Sequence, residues 1–374
     1  VSEFVRSVQI DQDGYFLRDG VRLTDAELGQ SWLRSLQRDE KGRHWLASPE
    51  GRVLVEAFDA PYVVRTLGAP ETISQARDIP VRLAYGLEAS VPLKTLRLDD
   101  FDRVHARITW PGDLAPMNPG VLAVFSRTAQ AELFDRADEL DDDSLTWNGQ
   151  RQELHPLYDT TQGADAAEWW SELYRKGESR WDLDRATPVL DRVIQTLKPT
   201  RCRVAVLGCG RGHDAAWWSQ HGHLSQGFDL SEDAIAAAKR RYGESASLQF
   251  HVADVLDLPR SWDGQFDMVF DHTLYCAVHP QRRSELVQVW RRLLAPDGLL
   301  VGVFFAMDRP IGPPYGGTEW ELHERLRRSS WESLYWQRTG AESPRERQGR
   351  EFLVVARKRA SSAAHKTPLS QNKF

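Results

Sequence analysis

One stretch constrains the fold of this chain more than any other: Arg203-Val-Ala-Val-Leu-Gly-Cys-Gly-Arg-Gly-His-Asp214, read together with Gly227-Phe-Asp-Leu-Ser231. Val204 to Leu207 is a short apolar run rich in β-branched residues. Gly208, Gly210 and Gly212 follow at once, and a helical pattern carrying Ala215, Ala216, Trp217 and Trp218 begins near His213. A buried parallel strand, a glycine turn and a helix start, in that order, open a nucleotide-binding α/β unit. The glycines take positive φ without a Cβ clash and let the backbone approach a ligand. A second short strand ends in Asp229, where a carboxylate can accept both hydroxyls of a ribose.

The glycine spacing is Gly-x-Gly-x-Gly rather than the Gly-x-Gly-x-x-Gly of most dinucleotide sites. That favours S-adenosylmethionine, which has a ribose and an adenine but no pyrophosphate. An ordinary strand-to-helix turn also uses glycine. The strand before it, the helix after it and the acidic end of the next strand together point to a ligand site.

A chain of 374 residues is long enough for two domains. The net charge of −6 and a pI near 6.0 argue against a general nucleic-acid binder. The mean hydropathy of −0.51 fits a soluble protein, and no apolar run approaches the roughly 20 residues of a membrane span. The first residues show no signal-peptide pattern. Cys202, Cys209 and Cys276 form no Cys-x-x-Cys pair, which suggests reduced thiols in a cytoplasmic protein and no metal site.

Residues 1–160 read as a separate β-rich accessory domain with some helix. Asp19-Gly20 is a favoured hairpin turn between Tyr15–Arg18 and Val21–Leu23. Thr24 and Glu27 form a capping box for a helix to about Leu36. His44–Ala47, Val53–Glu56 and Tyr62–Arg65 read as strands. The stretch from Asp13 to Val63 resembles a small bacterial family of unknown function, through Asp13-Gly14-Tyr15-Phe16 and Phe58-Asp59-Ala60-Pro61-Tyr62. That resemblance implies no activity, and the domain has no catalytic constellation; binding an unknown partner is its open role. The acidic run from Asp135 to Asp143 reads as a solvated surface.

From residue 161 the character changes. Ala164 to Gly177 is an amphipathic helix with Trp169, Trp170, Leu173 and Tyr174, where aromatics at helical spacing equally suit a core. Trp181 sits in a polar loop, where a core role is less natural. Thr187-Pro188 starts a further helix. From Arg203 strands and helices alternate, with strand ends at Leu207, Asp229, Asp254 and His272. Helices near His213–His221, Ser231–Tyr242, Gln281–Leu294 and Glu319–Arg328 separate them. Leu334–Arg338 and Phe352–Arg357 are two late strands joined by a charged loop. The pattern predicts a Rossmann-like, mostly parallel sheet with an antiparallel edge pair, the class I methyltransferase plan, over residues 161–359. Residues 360–374 read as a disordered tail.

From Trp170 to Arg357, about 165–359 in all, the sequence resembles the thiopurine methyltransferase family, most closely its thiol and methyl halide transferase branch. The motifs run in order: Gly177-x-x-x-Trp181-Asp182 with Arg185-Ala-Thr-Pro188, Gly208-Cys-Gly-Arg-Gly-His-Asp214, Gly227-Phe-Asp-Leu-Ser231, Phe266-Asp-Met-Val-Phe-Asp271, Cys276-Ala-Val-His-Pro280 and Gly312-Pro-Pro-Tyr315. The resemblance implies S-adenosylmethionine contacts at Trp170, Tyr174, Trp181, Gly208, Gly210, Asp229, Asp254, Val255 and His272. Tyr174 stands where the halide branch usually has Trp. His272 stands where thiopurine enzymes have Arg and the halide branch has Tyr.

The chemistry fits these residue types. Ligands in open α/β sheets lie at the carboxyl ends of the strands. Trp170, Tyr174 and Trp181 can turn aromatic faces toward a sulfonium. Methyl transfer to a thiolate or halide is an in-line displacement that needs alignment and a dry site more than a base. His272 is the candidate base for a neutral thiol, or else a cofactor contact, and Tyr315 is a candidate wall of the acceptor pocket. Cys276 reads as a buried small hydrophobe. Arg325, Arg327, Arg328, Arg338, Arg345, Arg347 and Arg350 alternate with glutamates and read as a solvated mixed-charge face. The expected activity is methylation of a small soft nucleophile, a thiol, bisulfide or halide. A thiopurine or a selenium or tellurium oxyanion is the alternative acceptor, and a cofactor-binding regulatory protein is the alternative of another class. No nucleic-acid or membrane partner is expected.

Overall fold

The computed structural model describes residues 4–68, 78–110, 120–158, 167–309 and 311–359. The tail from residue 360 and the first residues of the helix expected from Ala164 lie outside these.

The C-terminal part is built on a seven-stranded sheet. Its strands are β1 (Arg203–Leu207), β2 (Leu224–Asp229), β3 (Leu248–Val252), β4 (Phe266–His272), β5 (Leu294–Phe305), β6 (Trp331–Arg338) and β7 (Glu351–Lys358). The order across the sheet is β3-β2-β1-β4-β5-β7-β6. β1 to β5 run parallel to one another, and β7 runs antiparallel to both β5 and β6. This is the class I methyltransferase plan. Among the described residues six α-helices accompany the sheet: α1 (Ala167–Lys176), α2 (Val189–Leu197), α3 (His213–Gln220), α4 (Glu232–Tyr242), α5 (Arg283–Leu293) and α6 (Glu319–Arg328).

The apolar runs are continuous because both faces are covered. Val204 and Val206 join Met268 and Phe270 on the face packed by α2, α3 and α4 through Val193, Trp218 and Ile235. Ala205, Leu207 and Val269 face the other way, under Trp290 of α5 and Leu322 of α6. Strand order reverses at β1, which pairs β2 on one side and β4 on the other, Leu207 lying opposite Asp271. A crevice at the carboxyl ends of such strands is where ligands bind in this architecture.

The N-terminal part contains a six-stranded sheet in which Phe4–Ile10 lies parallel to Gly51–Ala57, together with smaller sheets of three, five and three strands. Asp19 (φ 51°) and Gly20 (φ 76°) make the expected hairpin turn, pairing Arg18 with Val21. The helix Ala26–Ser35 is capped by Asp25, whose carboxylate accepts from the Leu28 N–H at 3.0 Å. The Thr24/Glu27 capping box is thus corrected by one position: a carboxylate adjacent to the first turn outcompetes the hydroxyl before it. Ile10, Phe16, Leu33, Val64, Val91 and Phe125 share one buried core.

The two parts meet over charged and aromatic contacts. Asp308 receives Arg38 Nε and Arg107 Nη2, each at 2.9 Å. Arg325 reaches Asp100 at 2.5 Å, and the Trp320 N–H donates to the Phe58 carbonyl at 2.8 Å. Arg338 Nη2 donates to the Ala57 carbonyl at 3.0 Å. The expectation of a solvated arginine face is therefore corrected in part. Arg325 and Arg347 are 4% and 6% exposed, and Arg338 pairs with Glu319. Regular charge alternation suggests a surface, but that surface is covered by the N-terminal part and by the turn before β7.

Candidate active site

The glycine turn after β1 sets the geometry. Gly208 and Gly210 have φ of +62° and +53°. A Cβ at Gly208 would lie 2.9 Å from Leu274 Cβ, and one at Gly210 would lie 2.8 Å from the Tyr174 hydroxyl. Positive φ and close approach together require glycine at both positions.

Asp229 ends β2 beside this turn. Its Oδ2 accepts the Gly210 N–H at 2.8 Å and its Oδ1 the Ser231 N–H at 2.9 Å. Burial pushes the carboxyl above its ordinary range, and those two N–H donors pull against the rise. Ser231 then caps α4 by accepting from the Ala234 N–H at 3.2 Å. At the end of β3 Asp254 is exposed and its Oδ1 accepts the Leu256 N–H at 2.8 Å, while Val255 is buried.

The aromatic residues converge above the turn. Trp181 Nε1 donates to the Tyr174 hydroxyl at 3.1 Å, and the two rings meet edge-on at 5.6 Å. Trp170 meets Trp181 edge-on at 5.4 Å and Trp169 at 4.7 Å. Tyr174 is buried, and desolvation together with the Asp229 charge keeps its hydroxyl protonated. Asp182, next to Trp181, ties this loop down through His213 (3.1 Å) and Arg211 (3.2 Å). Burial alone would raise its carboxyl, but the bonds from His213 and the Asp184 N–H hold it below the usual carboxylate range.

His272 ends β4. Its Nδ1 lies 2.8 Å from Asp214 Oδ2 and its Nε2 lies 3.0 Å from Arg347 Nη1. A guanidinium can only donate, so Nε2 is the acceptor and Nδ1 carries the proton that Asp214 receives. Asp214 Oδ1 accepts the Thr187 N–H at 2.8 Å. Arg347 also donates to the Trp181 carbonyl and to Glu351 Oε1 at 3.3 Å. His272 is therefore linked through Arg347 to the aromatic loop, with both of its ring nitrogens engaged.

Tyr315 is 1% exposed. Its N–H donates to the Cys276 carbonyl at 2.7 Å and its ring packs on His279 at 5.6 Å, so it is held against the segment that follows β4. Cys276 is buried, and desolvation pushes its thiol up to about 12, as suits a small hydrophobe.

Trp170, Tyr174, Trp181, Gly210 and Asp229 thus form one constellation, and His272 joins it through Arg347. Sequence reasoning assigns no role in the site to Asp182, Asp214 or Arg347. Asp214 stands within the glycine motif, yet its partner lies 58 positions away. Arg347 is hidden in a charge-rich run.

Residues 165–359, just over half of the chain, match the thiopurine S-methyltransferase family. Thiocyanate methyltransferase 1 of Arabidopsis thaliana is 32% identical over 149 residues, 39% of this chain and 65% of that protein. Thiopurine S-methyltransferase of Bordetella petrii is 29% identical over 173 residues, 42% of this chain and 79% of that protein. The chain thus spans just under two thirds of the plant protein's length. Among solved structures, the 1,6-didemethyltoxoflavin-N1-methyltransferase of Burkholderia thailandensis covers 60% of this chain and 99% of its own, at 22% identity and a TM-score of 0.43. With the glycine turn, the strand order and the match over residues 165–359 in agreement, the chain belongs to the thiopurine S-methyltransferase family of S-adenosylmethionine-dependent methyltransferases.

Proposed function

We propose that the protein transfers the methyl group of S-adenosylmethionine to a small, soft, anionic nucleophile, a thiolate, bisulfide or halide. The observation that carries this reading is the aromatic set of Trp170, Tyr174 and Trp181, closed edge to edge over the Gly210 turn. Asp229 takes the ribose hydroxyls and the exposed Asp254 carboxylate accepts from the adenine amino group. Val255 offers a backbone N–H, and the rings surround the sulfonium.

The reaction is a displacement at carbon. The acceptor's electron pair forms the new bond to the methyl group as the carbon–sulfur bond breaks, and that bonding pair stays on sulfur. Because Nε2 of His272 is taken by Arg347, no lone pair is left there to remove a thiol proton. The acceptor enters already ionised, and His272 acts by holding Arg347 and, through it, the Trp181 loop. A dry aromatic pocket favours acceptors that lose little on leaving water. Large polarizable anions meet that condition, whereas a phosphodiester or a lysine ammonium does not.

The names of two relatives, thiocyanate methyltransferase 1 and probable thiol methyltransferase 2, support this acceptor class. Gas chromatography of the headspace over protein, cofactor and bisulfide, a small thiol or iodide is the test. Volatile methyl products from these are expected. Clean turnover of a large aromatic thiol, with none from the three small acceptors, would move the reading to a thiopurine-like acceptor.

A further inference from the structure

A small cavity of about 40 Å³ lies where the N-terminal part meets the sheet, remote from the glycine turn in sequence and built from different residues. About 10–15 Å³ of such space suffices for one water, so it has room for a group of a few heavy atoms. Its charged wall includes Arg43, Arg107, Asp308, Arg338 and Arg350, with His44 beside them.

These charges do not balance locally. Asp308 already holds Arg38 and Arg107. Arg43 is on Asp39 at 2.7 Å and Arg338 is on Glu319. The other acid of the wall, Asp59, is on Arg103 at 2.7 Å. Among the described residues, Arg309 and Arg350 are the wall cations without a carboxylate, and Arg309 is exposed with its Nε on the Ile311 carbonyl, which leaves Arg350 as the more covered of the two. Its Nη1 donates to the Lys41 carbonyl at 3.1 Å and its Nη2 to the Glu346 carbonyl, while its Nε is buried with no partner among the described residues. Desolvation and the neighbouring Arg43 charge lower its pKa against the opposing pull of the more distant Asp39 and Glu351 carboxylates, neither of which it bonds. His44 Nε2 is also buried with no partner among the described residues, on a residue 9% exposed. Burial drives His44 down to about 4, so it stays neutral and can offer one N–H.

A half-buried guanidinium with no carboxylate and an unpaired Nε, and a buried ring nitrogen with no partner among the described residues, each carry a cost that a fitting ligand removes. A water can satisfy the ring nitrogen but cannot neutralise the guanidinium. A planar guanidinium matches an oxyanion in shape as well as charge. We propose that this junction cavity binds a small oxyanion, an inorganic tetrahedral anion or a single carboxylate group, with Arg350 as counter-ion and His44 as a further donor. The site is independent of the methyl acceptor.

The experiment is titration calorimetry on the full chain at constant ionic strength, with sodium phosphate, sodium sulfate and sodium formate as separate probes. One saturable site is expected for at least one probe. Phosphate or sulfate binding identifies an inorganic anion, and formate binding alone identifies a carboxylate. Arg350→Gln and His44→Phe should each weaken it at least tenfold, whereas Arg345→Gln, in the same turn but outside the cavity wall, should leave it unchanged. If Arg350→Gln does not fold, His44→Phe carries the same expectation. No saturable binding of any probe, which means water alone fills the cavity, would overturn the proposal. So would equal binding by wild type and the folded variants.

Discussion

Arg347 donates from Nη1 to Nε2 of His272 at 3.0 Å and occupies the lone pair that a thiol proton would need. The histidine thereby becomes a strut between Asp214 and the Trp181 loop. His272→Phe is expected to slow methylation of iodide and of a small thiol by the same factor, about 10- to 100-fold, the scale of a lost positioning contact. Steady-state rates with both acceptors check this. Loss confined to the thiol would restore a base role.

Gly210→Ala is expected to weaken cofactor binding at least tenfold. The new Cβ would meet the Tyr174 hydroxyl at 2.8 Å, at a φ of +53°. Tyr174→Phe in the same chain should recover part of the loss by removing the oxygen. The backbone penalty of about 1–2 kcal/mol remains. Calorimetric titration of the single and double variants separates the two contributions.

Asp229→Ala should lower cofactor affinity by up to several kcal/mol, since a hydrogen bond to a charged group is worth about 1.5–3 kcal/mol. It also strands the Gly210 and Ser231 N–H groups. Titration calorimetry on the purified variant is the measurement, and unchanged affinity would remove Asp229 from the site.

Asp271 gives a pH signature. It is fully buried beneath the site, with Oδ1 accepting the Tyr275 N–H at 3.2 Å and Oδ2 without a partner among the described residues. Burial raises its carboxyl to about 7. With the folded pKa above the unfolded one, its contribution to stability is full below about pH 4 and is lost as pH rises through about 7. Asp271→Asn keeps an acceptor for Tyr275 and should flatten this dependence. Urea unfolding at pH 5 and pH 8 should show the variant gaining on wild type at the higher pH. The gain should be about 1.4 kcal/mol for each pH unit between about 5 and 7.

Asp308→Ala should cost up to about 3–5 kcal/mol of stability, because two partly buried guanidiniums at the junction lose their buried carboxylate. Thermal unfolding is the check. A change below about 1 kcal/mol would mean that water reaches both arginines.

The parallel sheet is legible in the sequence because its information is local. Val204 to Leu207, the glycines and Asp229 lie within one βαβ unit, and strand-end residues follow from the alternation. Residues that act across the sheet are not legible in this way. His272 needs Asp214 from the other side of β1 and Arg347 from the turn before β7, and no spacing rule links the three. The arginine-rich segment misleads for a related reason. Periodic charge reports which face a helix turns outward, but not whether another part of the chain covers that face. At the N-terminus, strand positions are readable from β-branched runs, while the cap on Ala26–Ser35 falls one residue from its expected place because Thr24 and Asp25 both carry capping oxygens.

The short turn from Ser343 to Arg350 is gripped at both ends. Arg347 reaches His272, and three residues later Arg350 reaches the Lys41 carbonyl, while Leu54 fills the space at Gly349. The first half of the chain thus clamps a turn of the second half whose Arg347 touches the proposed site. A methyltransferase half expressed alone would keep its glycine turn and Asp229, and with them its hold on the nucleoside. It would lose the anchor that aims Arg347. Severing the chain should therefore separate grip from speed: cofactor retained, turnover diminished.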